Sequence, residues 1–229
     1  MLFRQLFDRE SCTYTYLLAS PTGTRALLID PVREHIDQYM TLLQELGLIL
    51  AVVIDTHVHA DHVTGSGGLR QKTGCQIMMG QESKAQGVTH FFKDKETIEI
   101  DGLSLKALYT PGHTDDSYCF LMKDRVFTGD TLFIRGTGRT DFQHGDAKTA
   151  YHSLFHTLLT LPDSMLIYPG HDYQGMTVST IEEEKKFNPR LQVDSAEAYT
   201  QLMAQLHFEK PKKIDIAVPA NLCCGLIKQ

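Results

Sequence analysis

The chain has 229 residues, 42% hydrophobic and 22% charged, the make-up of an ordinary soluble globular protein. A net charge of -6 argues against a nucleic-acid-binding surface, which needs a basic patch. No apolar run approaches the ~18–20 residues of a membrane span, so neither nucleic acid nor membrane is an expected partner.

The segment Met1 to Asp8 lacks the apolar core and cleavage site of a signal peptide and reads as a first strand. A cytoplasmic protein is therefore expected, or one of the mitochondrial matrix if a transit peptide has been removed. Cys12 to Leu18 is rich in aromatic and β-favouring residues and suits a strand. Ala26 to Ile29 is an apolar run stopped at Asp30-Pro31. Ile36, Met40, Leu43 and Leu46 recur at helical spacing, and Gly47 ends that helix. A buried strand, Leu50 to Ile54, leads into His57-Val58-His59-Ala60-Asp61-His62. Small residues from Val63 to Leu69 open a helix close behind this loop.

Gln76 to Met79 is a short strand. Ile98 to Ile100, Leu103 to Tyr109 and Tyr118 to Met122 alternate like strands with one buried face. Val126 to Thr128 is a strand running into Gly129-Asp130. Ala147 to Leu161 reads as a helix, and Leu166 to Tyr168 as a strand ending at Pro169-Gly170-His171. Val178 to Phe187 and Ala196 to Phe208 read as helices. The five cysteines, Cys12, Cys75, Cys119, Cys223 and Cys224, are odd in number and scattered, and indicate free thiols rather than a disulfide framework.

A strand followed by a ligand-bearing loop thus occurs four times, at His57, His113, Asp130 and His171. Two sheets with helices outside would bring such strand ends to one edge. The expected class is α/β, a four-layer αββα sandwich. The expected organisation is one domain over residues 1–229 with a short C-terminal extension from about 174 to 229.

His57, His59, Asp61, His62, His113, Asp130 and His171 form the candidate ligand set. Imidazole suits zinc, iron, copper and nickel, and carboxylate adds a hard anionic ligand. His57 and His59 can share one side of an extended turn. His113 lies in the tight turn Thr110-Pro111-Gly112-His113. An isolated histidine is most often a solvated or hydrogen-bonded polar residue, and His90, His144, His152, His156 and His207 are read that way. Four ligand types in six residues have no packing rationale. Spacing alone accommodates two metals, both zinc.

The histidine-X-histidine-X-aspartate-histidine loop, followed in order by Pro-Gly-His, Gly-Asp and Pro-Gly-His-Asp turns, resembles the metallo-β-lactamase superfamily. Further segments narrow the resemblance: Ile134 to Gln143, Tyr168 to Tyr173, Thr177 to Glu184, Asn188 to Leu191 and Asp215 to Leu222. Together, and nearly end to end, they are similar to the persulfide dioxygenases, the family that includes the ethylmalonic encephalopathy protein. The resemblance implies one Fe(2+) per chain, held by His57, His113 and Asp130. Two histidines and one carboxylate leave positions open for reactants. His59, Asp61, His62, His171 and Asp172 would stand behind those ligands and orient them.

The substrates implied are glutathione persulfide and O2, giving sulfite and glutathione in sulfide detoxification, with a homodimer as the expected assembly. Arg139 matches a family arginine that binds substrate, a guanidinium fork suiting a glutathione carboxylate; its plainer role is a loop-bracing pair with Asp141. Arg135 is a weaker candidate. Tyr173 is a candidate to hydrogen-bond substrate or a metal water; its plainer role is aromatic packing. Thr137 stands where some relatives carry cysteine, and Cys223 where some carry a basic residue. The main alternative is a glyoxalase II-type zinc hydrolase of glutathione thioesters. A thiol-sensing module using Cys223 and Cys224 is a second alternative.

Overall fold

The computed structural model describes residues 1–226. The chain forms two compact units. The first holds Met1–Lys93, Thr97–Leu105 and the segment from Lys210 onward, and the second holds Asp94–Glu96 and Lys106–Glu209.

In the first unit, β1 (Leu2–Phe7), β2 (Tyr14–Ala19) and β3 (Arg25–Ile29) pair antiparallel. After α1 (Ile36–Glu45) comes β4 (Ile49–Ile54), and after α2 (Ser66–Thr73) come β5 (Gln76–Gly80) and β6 (His90–Phe92). From β3 to β6 every pairing is parallel, and the order β1-β2-β3-β4-β5-β6 follows the chain. Parallel neighbours need crossovers, and α1 and α2 supply two of them. Leu17, Ala19, Leu28, Val53 and Ile77 meet Tyr39 and Leu43 of α1 and Leu69 of α2 in one apolar cluster. All six residues of β2 and five of the six in β4 are buried, as expected of near-continuous apolar strands. The predicted helix stop holds: Gly47 takes φ +63°, and the Leu48 N–H bonds back to the Leu43 carbonyl at 2.8 Å. β7 (Thr97–Ile100) alternates buried and exposed residues, as its sequence implies.

The chain enters the second unit along β8 (Leu103–Tyr109). There β9 (Tyr118–Leu121), β10 (Arg125–Gly129), β13 (Leu166–Pro169) and β14 (Ser179–Thr180) complete a sheet of order β14-β13-β10-β9-β8. Only β10 and β13 run parallel within it. A small ribbon, β11 (Leu132–Phe133) with β12 (Gly136–Thr137), follows β10. Three helices accompany the sheet: α3 (Ala147–His156), α4 (Ile181–Phe187) and α5 (Ala196–Gln205). Leu154, Tyr199 and Met203 from these helices pack with Val126, Ile167 and Ile181.

Side chains of Asp146, Thr180 and Ser195 cap the three helices and so fix their starts. Three predicted helices are shorter than their patterns, among them α5, which ends at Gln205 where Leu206 turns extended. Thr157 leaves helical geometry and a tight turn over Leu158–Thr160 follows. Ser179 and Thr180 pair with β13 instead of opening α4.

The C-terminal portion expected from residue 174 divides between the units at Glu209/Lys210; its last three residues, 227–229, lie outside the described residues. It includes α6 (Ile214–Asn221), which returns to the first unit and which the sequence pattern hides behind Pro219. Among the described residues no helix is long and apolar enough to cross a membrane.

Candidate metal centre

In the first unit β3 and β4 end side by side, and each ends on a carboxylate. Asp30, at φ +51°, accepts hydrogen bonds from the Thr56 N–H at 2.7 Å and the Thr56 hydroxyl at 3.0 Å. It also pairs with His59 Nε2 at 3.0 Å. The Thr56 oxygen is in turn 3.0 Å from His57 Nδ1, so a chain of bonds runs from Asp30 through Thr56 to His57. That engagement commits His57 Nδ1, so a metal would be met by Nε2.

His59 and His62 repeat this logic. His62 Nδ1 bonds Asp61 Oδ2 at 2.8 Å, with the Thr13 hydroxyl at 3.3 Å. The opposite nitrogens, His59 Nδ1 and His62 Nε2, are buried and have no hydrogen-bond partner. The rings of His57 and His59 lie 4.2 Å apart, and those of His59 and His62 4.4 Å. Unpartnered buried polar atoms are costly, and lone pairs of this kind call for a cation.

The electrostatics agree. Burial works against charge on His59, but the carboxylates of Asp30, Asp61 and Asp55 outweigh it and push the ring up to about 10. With three carboxylates around one imidazole, the pocket is short of positive charge. Burial also raises Asp55, whose oxygens accept from the Thr64 and Ser66 hydroxyls, each at 2.7 Å.

In the second unit the ends of β8, β10 and β13 present His113, Asp130 and His171 together. His113 Nδ1 donates to the Arg139 carbonyl at 2.8 Å, turning Nε2 toward Asp130 Oδ2 at 3.5 Å. His171 Nε2 lies 3.4 Å from Asp130 Oδ1, an oxygen that is buried and makes no hydrogen bond. Gly170 permits the close approach of β13 to β10: its N–H bonds the Gly129 carbonyl at 2.8 Å, and a Cβ there would stand 2.5 Å from Asp130 Oδ1.

The remaining sequence candidates sit around these three. Asp172 Oδ2 gathers the N–H groups of Gln174, Gly175 and Met176, which ties the loop after His171. Tyr173 is 70% exposed, with its ring parallel to that of His171 at 6.0 Å. Arg139 places its fork on Asp141, at 2.7 and 2.8 Å, and its other terminal nitrogen on the Glu209 carbonyl at 2.7 Å. Its guanidinium also covers Phe142 and Phe208. Arg135 is committed to Glu183 and to the buried Glu184.

Sequence reasoning passed over three groups. Asp30 and Asp55 end apolar runs as Asp130 does, a signal that was present. Arg190, stacked over Phe208 and bonded to the Thr137 carbonyl, lies in the Asn188 to Leu191 segment, where nothing singles out its side chain.

A family model described as the metallo-beta-lactamase superfamily matches residues 12–171. The protein named "Persulfide dioxygenase ETHE1, mitochondrial" from Bos taurus is 48% identical over 229 residues, covering 99% of this chain and 89% of its own. The crystal structure of ETHE1 from Myxococcus xanthus is similar at a TM-score of 0.96 with 49% identity, covering 99% of this chain and 100% of that one. A probable hydroxyacylglutathione hydrolase of Schizosaccharomyces pombe is more distant, at 32% identity over 88% of this chain and 89% of its own.

Proposed function

The chain belongs to the metallo-β-lactamase superfamily and, within it, to the persulfide dioxygenases, and on that premise we propose that it oxidises glutathione persulfide at a single non-haem iron(II) held by His57, His113 and Asp130. The expected α/β class is the fold it has, two mixed sheets flanked by helices. The observation that carries the functional reading is near-full-length identity of about half to persulfide dioxygenases. In the reaction one persulfide, one O2 and one water become sulfite and glutathione.

The donors fit the metal. His57 and His113, each with Nδ1 already engaged, and the Asp130 carboxylate would hold iron(II) and would leave room on it for reactants. Iron(II), when bound, supplies redox chemistry between dioxygen and the terminal sulfur. The chain's own groups fix the geometry. Asp30 and Thr56 set the His57 ring, and the Arg139 carbonyl sets His113. His171 lies against Asp130, and we assign Tyr173, exposed beside it, to meet the persulfide. Arg139 serves the site through the loop it braces, and meets a glutathione carboxylate by exchanging it for that of Asp141. Holding both reactants in one place removes much of the entropic barrier.

We place the protein in a bacterial cytoplasm or a mitochondrial matrix, as a homodimer. A second reading, zinc-dependent hydrolysis of glutathione thioesters, draws on the His59-Asp61-His62 group and the similarity to the yeast hydrolase. Elemental analysis of protein purified without added metal, paired with an oxygen electrode, separates the two. Near-stoichiometric iron with oxygen uptake on glutathione persulfide is expected. Stoichiometric zinc without uptake would overturn the dioxygenase reading.

A further inference from the structure

The loop from His57 to Thr64 is fastened by a side chain far along the chain. Asn221, the last residue of α6, is 1% exposed. Its Nδ2 donates to the His59 carbonyl at 2.9 Å and the His62 carbonyl at 2.8 Å. Its Oδ1 accepts from the Thr64 N–H at 2.9 Å. Both donors and one acceptor position of the carboxamide are thus spent on one six-residue stretch of backbone. An apolar side chain here would leave three buried backbone groups unsatisfied.

Attachment of α6 does not depend on those bonds. Ala217 and Ala220 pack on Val63, and Val218 packs beside Val58, Met79 and Ala85. Just beyond the helix, the Leu222 carbonyl accepts from the Gln86 N–H at 2.7 Å and the Cys224 carbonyl from the Gly67 N–H at 2.8 Å. The helix is docked by apolar contact and backbone bonds. The carboxamide is spent on the loop that carries the imidazoles.

We propose that Asn221 is a positioning residue for the metal loop. By fixing the backbone on both sides of Asp61, it holds the His59 and His62 rings in place beside His57, the ligand this loop is proposed to supply, and it slows metal release. The proposal rests on the reading that this loop holds a divalent metal. It does not depend on which reaction follows.

The test uses the full chain loaded separately with iron(II) and cobalt(II), and follows release to an excess of chelator beside the Tm of the metal-free protein. Asn221→Asp keeps the acceptor for Thr64 but sets an oxygen against the two carbonyls. Ala217→Gly weakens the same helix without touching the loop bonds, and serves as the control for stability. Release from Asn221→Asp is expected to be at least about tenfold faster than from Ala217→Gly at equal loss of Tm, the scale of effect found for groups that orient ligands from behind. Release no faster than the control overturns the proposal and leaves Asn221 a packing residue. Should the Asp variant fail to fold, Asn221→Ser, smaller and without the opposed charge, is put through the same comparison. Because the readout is metal release, a protein that lacked persulfide oxidation would still decide the question.

Discussion

Arg139 governs His113 through its backbone, not its charge. The carbonyl of Arg139 takes the Nδ1 proton of His113 at 2.8 Å, while its guanidinium forks onto Asp141 two residues away. The ion pair shapes the loop, and the loop sets the tautomer of the imidazole.

Arg139→Lys replaces a two-pronged contact with a point charge and should loosen that carbonyl. A fall in kcat/KM of roughly 10–100-fold is expected, with partial loss of iron, and Asp141→Ala should fall in parallel. Oxygen uptake and metal content of the two variants check this. A full-strength Asp141→Ala beside a dead Arg139→Lys would instead show that the guanidinium acts on substrate alone and not through the loop.

His113→Ala removes one of three proposed ligands. Loss of iron and of oxygen uptake by about 10²-fold or more is expected, extending the 10–100-fold effect of merely orienting groups. Retention of both would remove His113 from the ligand set.

Arg135 should behave differently from Arg139. Glu184 is fully buried and also receives the Ser179 hydroxyl at 2.6 Å and Asn188 Nδ2 at 2.9 Å. Arg135→Met strands that carboxylate, and a loss of about 3–5 kcal/mol of stability is expected. Denaturant unfolding measures it, while the folded fraction should keep its kcat.

Asp8 links stability to acid. Burial alone would raise its carboxyl, but Ser11, through hydroxyl and N–H, and His35 hold it down at about 2. A lowered carboxylate contributes stability above its unfolded pKa, near 3.8, and loses that contribution as pH falls toward 2. Asp8→Asn should therefore be less stable than the wild type at pH 6, and the difference should shrink across pH 4 to 2. Unfolding curves at pH 6, 4 and 2.5 test the sign.

The cysteines should divide by burial. Burial pushes the Cys224 thiol up to about 12 and Cys119 to about 11, and raises Cys75. Cys12 and Cys223 are half-exposed. Brief alkylation of the native protein at pH 8, read by mass spectrometry, should label Cys12 and Cys223 ahead of the other three.

Local chemistry was legible where it acts over a few residues. The four strand-to-loop transitions at His57, His113, Asp130 and His171 lie where the apolar runs end, and Gly47 stops its helix. The Arg139–Asp141 pair was visible because its partners are two residues apart. What stayed hidden depends on distant partners. Asp30 meets His59 across 29 positions, and no periodicity records that meeting. Ser179 and Thr180 adjoin a helical pattern, and only pairing with Leu166 and Ile167 draws them into a strand. Helix α6 carries a proline inside it, and its reason for being there lies at Val63 and Thr64.

The clasp of Asn221 on the His59–Thr64 backbone sets a timetable for biosynthesis. Its partners are separated by 157 to 162 residues. At roughly 5–20 residues per second, the histidine loop leaves the ribosome on the order of ten to thirty seconds before its fastener exists. A nascent chain in that interval carries the imidazoles without the side chain that aligns them, so any cation captured early is held by an unfinished loop. Correct metallation is then a late event, timed by arrival of the helix and not by synthesis of the ligands.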